Sequence, residues 1–483
     1  MKKYFYLAVL LLGSWAAQAQ KDNSQQYLLN QIDKKYQDYC QVARQIWGFA
    51  ELGYQESKSS ALLKETLQKS GFQIQSNAAN IPTAFVASYG SGKPIIGILA
   101  EYDALPGLSQ DSVPVQKPLK EGASGHGCGH NLFGTASVAA AIALKDWMIQ
   151  TKQAGTIRLY GTPAEEGGGG KVFMARSGLF DDVDAILHWH PGTSNNASAT
   201  TCLAVKSGLF RFYGKTAHAA AAPDRGRSAL DGVEAMNYMV NLMREHVPEK
   251  SRIHYVITKG GLAANVVPDY AEVEYVVRHP DVEETEKIWD RVVEAAKGAA
   301  QGTGTRMEVE VQSGLFNLLP NETLSKVMDA SLQKVGGVIY TPAEMEFATK
   351  LRESFEGKVA PLSEAATVQP FKMGYFPAST DVGDVSWLVP TAGLSTATWV
   401  PGTAAHTWQA TAADGMSIGF KGMSNAAKII ALSGAQLFSN PAIIKQAKEE
   451  LSKRRGAEFQ YKPLIGFEMK PPLDFRKNAV VTK

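Results

Sequence analysis

Segments patterned to bind a metal lie before about residue 205 and again after about residue 370, and none lies between. A chain that builds one centre from both stretches has to leave that centre and return to it, so one domain is inserted in another. The earliest such segment, Gly125-His126-Gly127-Cys128-Gly129-His130-Asn131, packs two imidazoles and a thiol together in a chain with three cysteines. The i, i+2 spacing sends Cys128 and His130 to one side of an extended segment, and Gly129 lets the backbone turn close to an ion. A soft thiolate beside an imidazole suits zinc or another late divalent metal. Taken alone, the motif reads better as a glycine-rich loop with a buried cysteine and two surface histidines.

Other segments supply its company. The apolar run Thr156-Ile157-Arg158-Leu159-Tyr160 reads as a buried strand, and it leads into Pro163-Ala164-Glu165-Glu166 and four consecutive glycines. Adjacent carboxylates point in different directions, so one can bind metal while the other moves a proton. Asp184-Ala185-Ile186-Leu187-His188-Trp189-His190-Pro191 is a second apolar strand ending in histidines, and alternation places His188 and His190 on one face. His406 stands on the small-residue loop Pro401-Gly402-Thr403-Ala404-Ala405-His406 before a helical pattern from Thr411.

Read in order, "EYDALPG", "GHGCGHN", "PAEEGGGG", "DAILHWHPG", "GKTAHAAAAP", "NVVPDYAEVEYVVRHP" and "PGTAAHTW" resemble the metal-dependent amidohydrolases of the aminoacylase and zinc-exopeptidase superfamily. The resemblance runs from about Asn30 to about Ser439. It is greatest to the aminobenzoyl-glutamate utilization protein B group, with auxin-conjugate and N-acyl-amino-acid amidohydrolases as cousins; Asn131, where many cousins carry aspartate, favours that branch. The resemblance implies Cys128, His130, Glu166, His190 and His406 as metal ligands and Glu165 as general base and later acid. It prefers His190 to His188 and places Asp103 just behind the ligands. It also implies that His218 stabilises the oxyanion, often from a partner subunit, and that Asn265 and Arg278 hold the substrate's carboxylate or the tetrahedral intermediate. For Asn265 and Arg278 a turn cap and a strand edge are equal alternatives.

The expected chemistry is hydrolysis of an amide between an acyl group and an amino acid, p-aminobenzoyl-glutamate or a similar N-acyl amino acid, by metal-activated water. Five ligands are too many for one tetrahedral zinc, so two divalent ions with a bridge are expected: zinc or manganese, with cobalt as a further option. A dipeptidase or aminopeptidase of the same superfamily is the alternative. A non-catalytic ligand-binding relative would have a broken site, and here every expected ligand is present.

The fold class expected is α/β, a zinc-exopeptidase-like catalytic domain with an inserted α+β, ferredoxin-like lid and dimerisation domain. Helical patterns cover Gln26 to Ala50, Ser57 to Ser70 and Leu132 to Ile149, and Ile95 to Leu99 reads as a buried strand. Strand patterns at Leu209 to Tyr213, Ile253 to Thr258, Ala271 to Val277 and Met307 to Val311 alternate with helices at Ser228 to Arg244 and Val282 to Ala300. The divisions expected are a signal peptide at 1–19, catalytic parts at 20–205 and 316–439, the insert at 206–315 and a surface-packed tail at 440–483. A homodimer through the lid is expected, and a related second subunit is a further possibility.

Met1-Lys2-Lys3, an apolar stretch to Ala17 and the small-x-small site Ala17-Gln18-Ala19 read as a cleavable secretory signal, which implies a periplasmic or secreted enzyme. No later segment is expected to reach membrane-spanning length, and a net charge of +2 gives no sign of nucleic acid. Cys40 and Cys202 can form one disulfide or stay as buried thiols; free thiols are the preferred expectation, since a chain of 483 residues has core enough without a staple.

Overall fold

The computed structural model describes residues 23–477. The segment read as a signal peptide lies outside the described residues. A six-stranded sheet organises the larger part of the molecule. Its strands are β1 (Gln73–Ser76), β2 (Phe85–Ser91), β3 (Ile95–Ala100), β4 (Gly155–Gly161), β5 (Ala185–Gly192) and, far along the chain, β12 (Thr391–Ala397). Their order is β1-β2-β4-β3-β5-β12. β4, β3, β5 and β12 run parallel, and every residue of β3 is buried, as expected of a strand covered on both faces.

One face is covered by the helices Tyr36–Phe49, His130–Thr151 and Ser417–Ser439, whose small residues let them approach the sheet closely. By length and composition His130–Thr151 does reach the membrane-spanning class, which corrects the reading of the sequence. Yet 83% of its apolar window is buried inside the protein, so its apolarity is that of a core helix. The other face packs against Val172, Phe173, Phe180 and Val385.

Between the two stretches of the large sheet, β7 (Ala204–Tyr213), β8 (Arg252–Lys259), β9 (Tyr270–His279) and β10 (Arg306–Leu315) form an antiparallel sheet in the order β10-β7-β9-β8. The helices Ala229–Met243 and Val282–Thr303 pack on it around Phe210, Phe212, Tyr275 and Trp289. Both helices start as their sequences dictate: Ser228 Oγ accepts from the Asp231 N–H at 3.1 Å, and Asp281 Oδ1 from the Glu283 N–H at 2.8 Å. A short parallel pair, β6 (Ala199–Thr201) with β11 (Met373–Tyr375), lies outside both sheets.

The region from residue 440, expected as a surface tail, opens instead with the helix Pro441–Arg455, which buries Ile444, Ala447 and Leu451. Beyond it Leu464 and Ile465 are buried, and the Tyr461 hydroxyl donates to Asp384 Oδ1 at 2.6 Å. Cys40, Cys128 and Cys202 are free buried thiols.

Candidate metal centre

Parallel strands leave a crevice beyond their carboxyl ends, and the chemistry-bearing residues stand there. Glu101 and Asp103 follow β3, Glu165 and Glu166 follow β4, and His188 and His190 lie on β5. His130 is the first residue of its helix, behind Gly129 at φ +75°. A Cβ at Gly129 would stand 2.7 Å from Pro191, so glycine permits both the turn and the close approach of the two loops. The loop after β12 docks on the cysteine loop, with the His406 N–H donating to the Gly127 carbonyl at 2.8 Å. His406 at φ 62° and Ala164 at φ 58° both carry the left-handed conformation that side chains disfavour, a strain that clusters at functional sites.

Two triads of donor atoms result, each within 4.8 Å of one another: Cys128, His130 and His190, and Cys128, Glu166 and His406. Cys128 belongs to both. Its Sγ lies 3.4 Å from His190 Nε2, and His406 Nε2 lies 3.2 Å from Glu166 Oε1. Asp103 sits behind them, with Oδ1 2.9 Å from His130 Nδ1 and Oδ2 accepting the Glu166 N–H at 2.9 Å. A carboxylate behind a ligating imidazole fixes its orientation and leaves the other nitrogen free for an ion. His188 belongs to neither triad. Phe133 and Trp189 are fully buried and pack on each other at 5.8 Å; the Phe133 ring centroid is 6.2 Å from those of His130 and His190, so these aromatics form a floor under the imidazoles.

A third group joins Glu101, His130 and Glu165. Neither Glu101, nor Lys171 that contacts it at 2.7 Å, nor Asp381 on the far side of Lys171 stands out in the sequence. The lysine directly after the glycine run was the available signal. The His130 Nε2, Glu101 Oε2 and Glu166 Oε1 atoms are buried without hydrogen-bond partners.

The charges are those of a site short of cations. Burial pushes the Cys128 thiol up, and Glu166 adds to it. Glu165 is raised well above the ordinary carboxylate range by burial, then by the charges of Glu101 and Glu166. Burial and the neighbouring His130 push His190 down to about 4, so it presents a neutral ring. Burial opposes charge on His130, but Cys128, Asp103 and Glu101 outweigh it and raise its pKa. A buried thiol, the neutral imidazole of His190 and buried carboxylates, gathered in groups whose donor atoms lie within 4.8 Å of one another, are a donor set that fits divalent metal ions.

The remaining sequence-predicted residues stand on the inserted domain. His218 is exposed, its Nδ1 accepting from the Ala220 and Ala221 N–H groups at 3.2 and 3.1 Å. Asn265 is exposed, and its carbonyl accepts the Ala219 N–H at 3.0 Å. Arg278 is half-buried and donates to Ser379 Oγ at 2.8 Å, tying the insert to the loop that carries Asp381. The structure therefore gathers the expected ligands and Glu165, and leaves His218 and Asn265 outside the donor triads.

The sequence profile of Peptidase family M20/M25/M40 matches residues 97–352. The chain is 41% identical over 446 residues to one of the subunits of the p-aminobenzoyl-glutamate hydrolase of Escherichia coli K12, a match covering 87% of this chain and 93% of that protein. It is 28% identical to the Xaa-Arg dipeptidase of Mus musculus, over 87% of this chain and 90% of that one. A dinuclear metal-binding M20 peptidase from Bacillus subtilis shares the fold at a TM-score of 0.59 and 16% identity, covering 84% of this chain and 99% of that one.

Proposed function

Because the chain belongs to Peptidase family M20/M25/M40, we propose that it releases an amino acid from an N-acyl amino acid, with p-aminobenzoyl-glutamate the leading substrate, at the centre built from Cys128, His130, Glu166, His190 and His406. The protein is a metal-dependent amidohydrolase. The observation that carries the site is the pair of donor triads sharing Cys128. Two divalent ions held there, zinc or manganese with cobalt as a further option, supply Lewis acidity toward water and the amide carbonyl.

The protein's own groups do the rest. Glu165 adjoins the donors without belonging to either triad, which suits a carboxylate that takes the proton of the attacking water and returns it to the leaving nitrogen. Asp103 keeps the His130 ring and the Glu166 backbone in place. His218 would donate to the developing oxyanion from a partner's lid, and Arg278 with Asn265 would hold the substrate's carboxylate.

Assembly as a homodimer through the inserted domain is supported by β8. It pairs only with β9 within its sheet and leaves Val256 and Ile257 exposed, and Tyr238, Met239 and Leu242 on the helix Ala229–Met243 are exposed too. An open apolar strand edge of this kind favours a partner. Export is proposed from the N-terminal segment alone; a periplasmic protein whose N-terminus is Gln20 would support it, and an uncleaved cytoplasmic one would overturn it.

The test is an assay of the purified protein on p-aminobenzoyl-glutamate, a panel of N-acyl amino acids and a panel of dipeptides, with and without chelator. The expected result is amino-acid release that chelator abolishes and added zinc or manganese restores, fastest on p-aminobenzoyl-glutamate. The likeness to a dipeptidase favours the second reading, and preference for dipeptides would select it. Failure to cleave any of these amides in the presence of metal would overturn the proposal.

A further inference from the structure

A proton carrier has to meet both the attacking water and the leaving nitrogen, yet among the described residues no hydrogen bond holds the Glu165 side chain. Its position then depends on the backbone that carries it. Glu165 to Gly168 form a tight loop: the Gly167 N–H donates to the Glu165 carbonyl at 2.6 Å, and a Cβ on Gly168 would lie 2.6 Å from Ala164 Cβ, so the two ends of the loop touch. Ala164, directly before Glu165, has the left-handed φ of 58°, a conformation that persists only where the surroundings enforce it.

The segment Gly53-Tyr54-Gln55-Glu56 grips both ends of that loop. Glu56 is fully buried, and its Oε1 accepts the Ala164 N–H at 2.8 Å. The hydroxyl of the buried Tyr54 donates to the Gly168 carbonyl at 2.7 Å. Gly53 lies so near the turn that a Cβ there would stand 3.0 Å from both Ala164 Cα and Ala164 Cβ. The Glu51 carbonyl accepts the Ala104 N–H at 2.8 Å, which moors the segment beside Asp103. Burying a carboxyl costs free energy unless it is hydrogen-bonded, and among the described residues no lysine or arginine pairs with Glu56. What this buried group provides is an acceptor for the N–H of a strained turn.

We propose that Glu56 and Tyr54 are positioning residues for the hydrolysis: by clamping Ala164 and Gly168 they fix the loop so that Glu165 is held at the metal centre. The inference rests on the proposed role of Glu165 as proton carrier. Its neighbour Glu166 has an anchor of its own, since the Glu166 N–H donates to Asp103 Oδ2 at 2.9 Å, and the other four proposed ligands come from other segments. Loosening the clamp therefore displaces the proton carrier while the metal stays held. A displacement of about 1 Å at a reacting group is enough to cost roughly a hundredfold in rate.

The test compares full-length wild type with Tyr54→Phe, Glu56→Leu and Glu56→Gln, measuring kcat and KM on p-aminobenzoyl-glutamate, bound metal and melting temperature on each preparation. Tyr54→Phe removes one oxygen and keeps the ring; Glu56→Leu removes the acceptor, and Glu56→Gln keeps an oxygen for the Ala164 N–H. The expected result is a kcat at least roughly tenfold lower in Tyr54→Phe and Glu56→Leu, with KM and bound metal at wild-type values, and recovery of most of that loss in Glu56→Gln. Should Glu56→Leu not fold, Tyr54→Phe is read alone. A lowered melting temperature with wild-type kcat, assayed where the variant is folded, would make the clamp merely structural and overturn the inference. Loss of metal in step with kcat would overturn it too, since the clamp would then be serving Glu166. A wild type that binds metal yet releases no amino acid from this substrate or from the N-acyl amino acid and dipeptide panels would overturn the proposed hydrolysis and this role together.

Discussion

His188 and His190 show what single residues contribute to this site. Both lie on β5 and both face the same side of the sheet, so alternation cannot separate them. Packing does. The His188 ring is pressed against Gly393 of β12, where a Cβ would come within 2.4 Å of it, while His190 reaches Cys128. His190→Ala should therefore remove about one metal equivalent per chain, and His188→Ala should retain both while losing stability through the cavity it leaves. Metal analysis of the two purified variants checks this, and equal metal loss in both would reverse the assignment. The expected ligands were legible because they recur in order beside strand ends and glycines. Glu101, Lys171 and Asp381 were not, because each is an ordinary residue in its own segment and only the fold brings a lysine from one helix between carboxylates from two other loops.

At the scale of elements, the sequence marked the insert's helices and strands well, since their apolar positions keep one period and their caps are explicit. The helix Pro441–Arg455 was missed because its apolar stripe is narrow, three buried residues among lysines, arginines and glutamates. The chain that follows it is anchored through Asp384, whose Oδ1 accepts from Tyr461 and whose Oδ2 accepts from the Phe316 N–H at 3.0 Å. Burial raises the Asp384 carboxyl from 3.8 to about 7, more than those hydrogen bonds lower it. A raised carboxyl binds its proton more tightly in the folded state, so stability falls as pH rises from about 4 through about 7 and is level above that. The full cost is on the order of 4 kcal/mol. Asp384→Asn should flatten that part of the profile, so that the melting-temperature difference between variant and wild type moves in the variant's favour from pH 5 to pH 8. A difference independent of pH would contradict it.

For the whole molecule, the return of the chain to one site after a long excursion was readable from the gap between motif segments, and the two sheets realise it, β12 joining β5 after the four strands of the insert. What stayed illegible is assembly, since exposed apolar residues acquire meaning only once the fold shows that β8, which carries Val256 and Ile257, is an open edge of its sheet. If the β8 edge is the homodimer contact, Val256→Lys with Ile257→Glu should convert a dimer to a monomer in light scattering. Turnover should then fall sharply, because His218 could no longer be donated across the interface. A monomeric variant with full activity would contradict that role for His218.

Residues gathered at the ends of parallel strands are proposed to form the metal centre, with Glu165 as its proton carrier. Its most direct test is Glu165→Gln, with metal content and turnover measured on the same preparation. Bound metal is expected to stay at the wild-type level while kcat falls by roughly 10²- to 10⁴-fold. Wild-type turnover in this variant, or loss of the metal together with the activity, would contradict it.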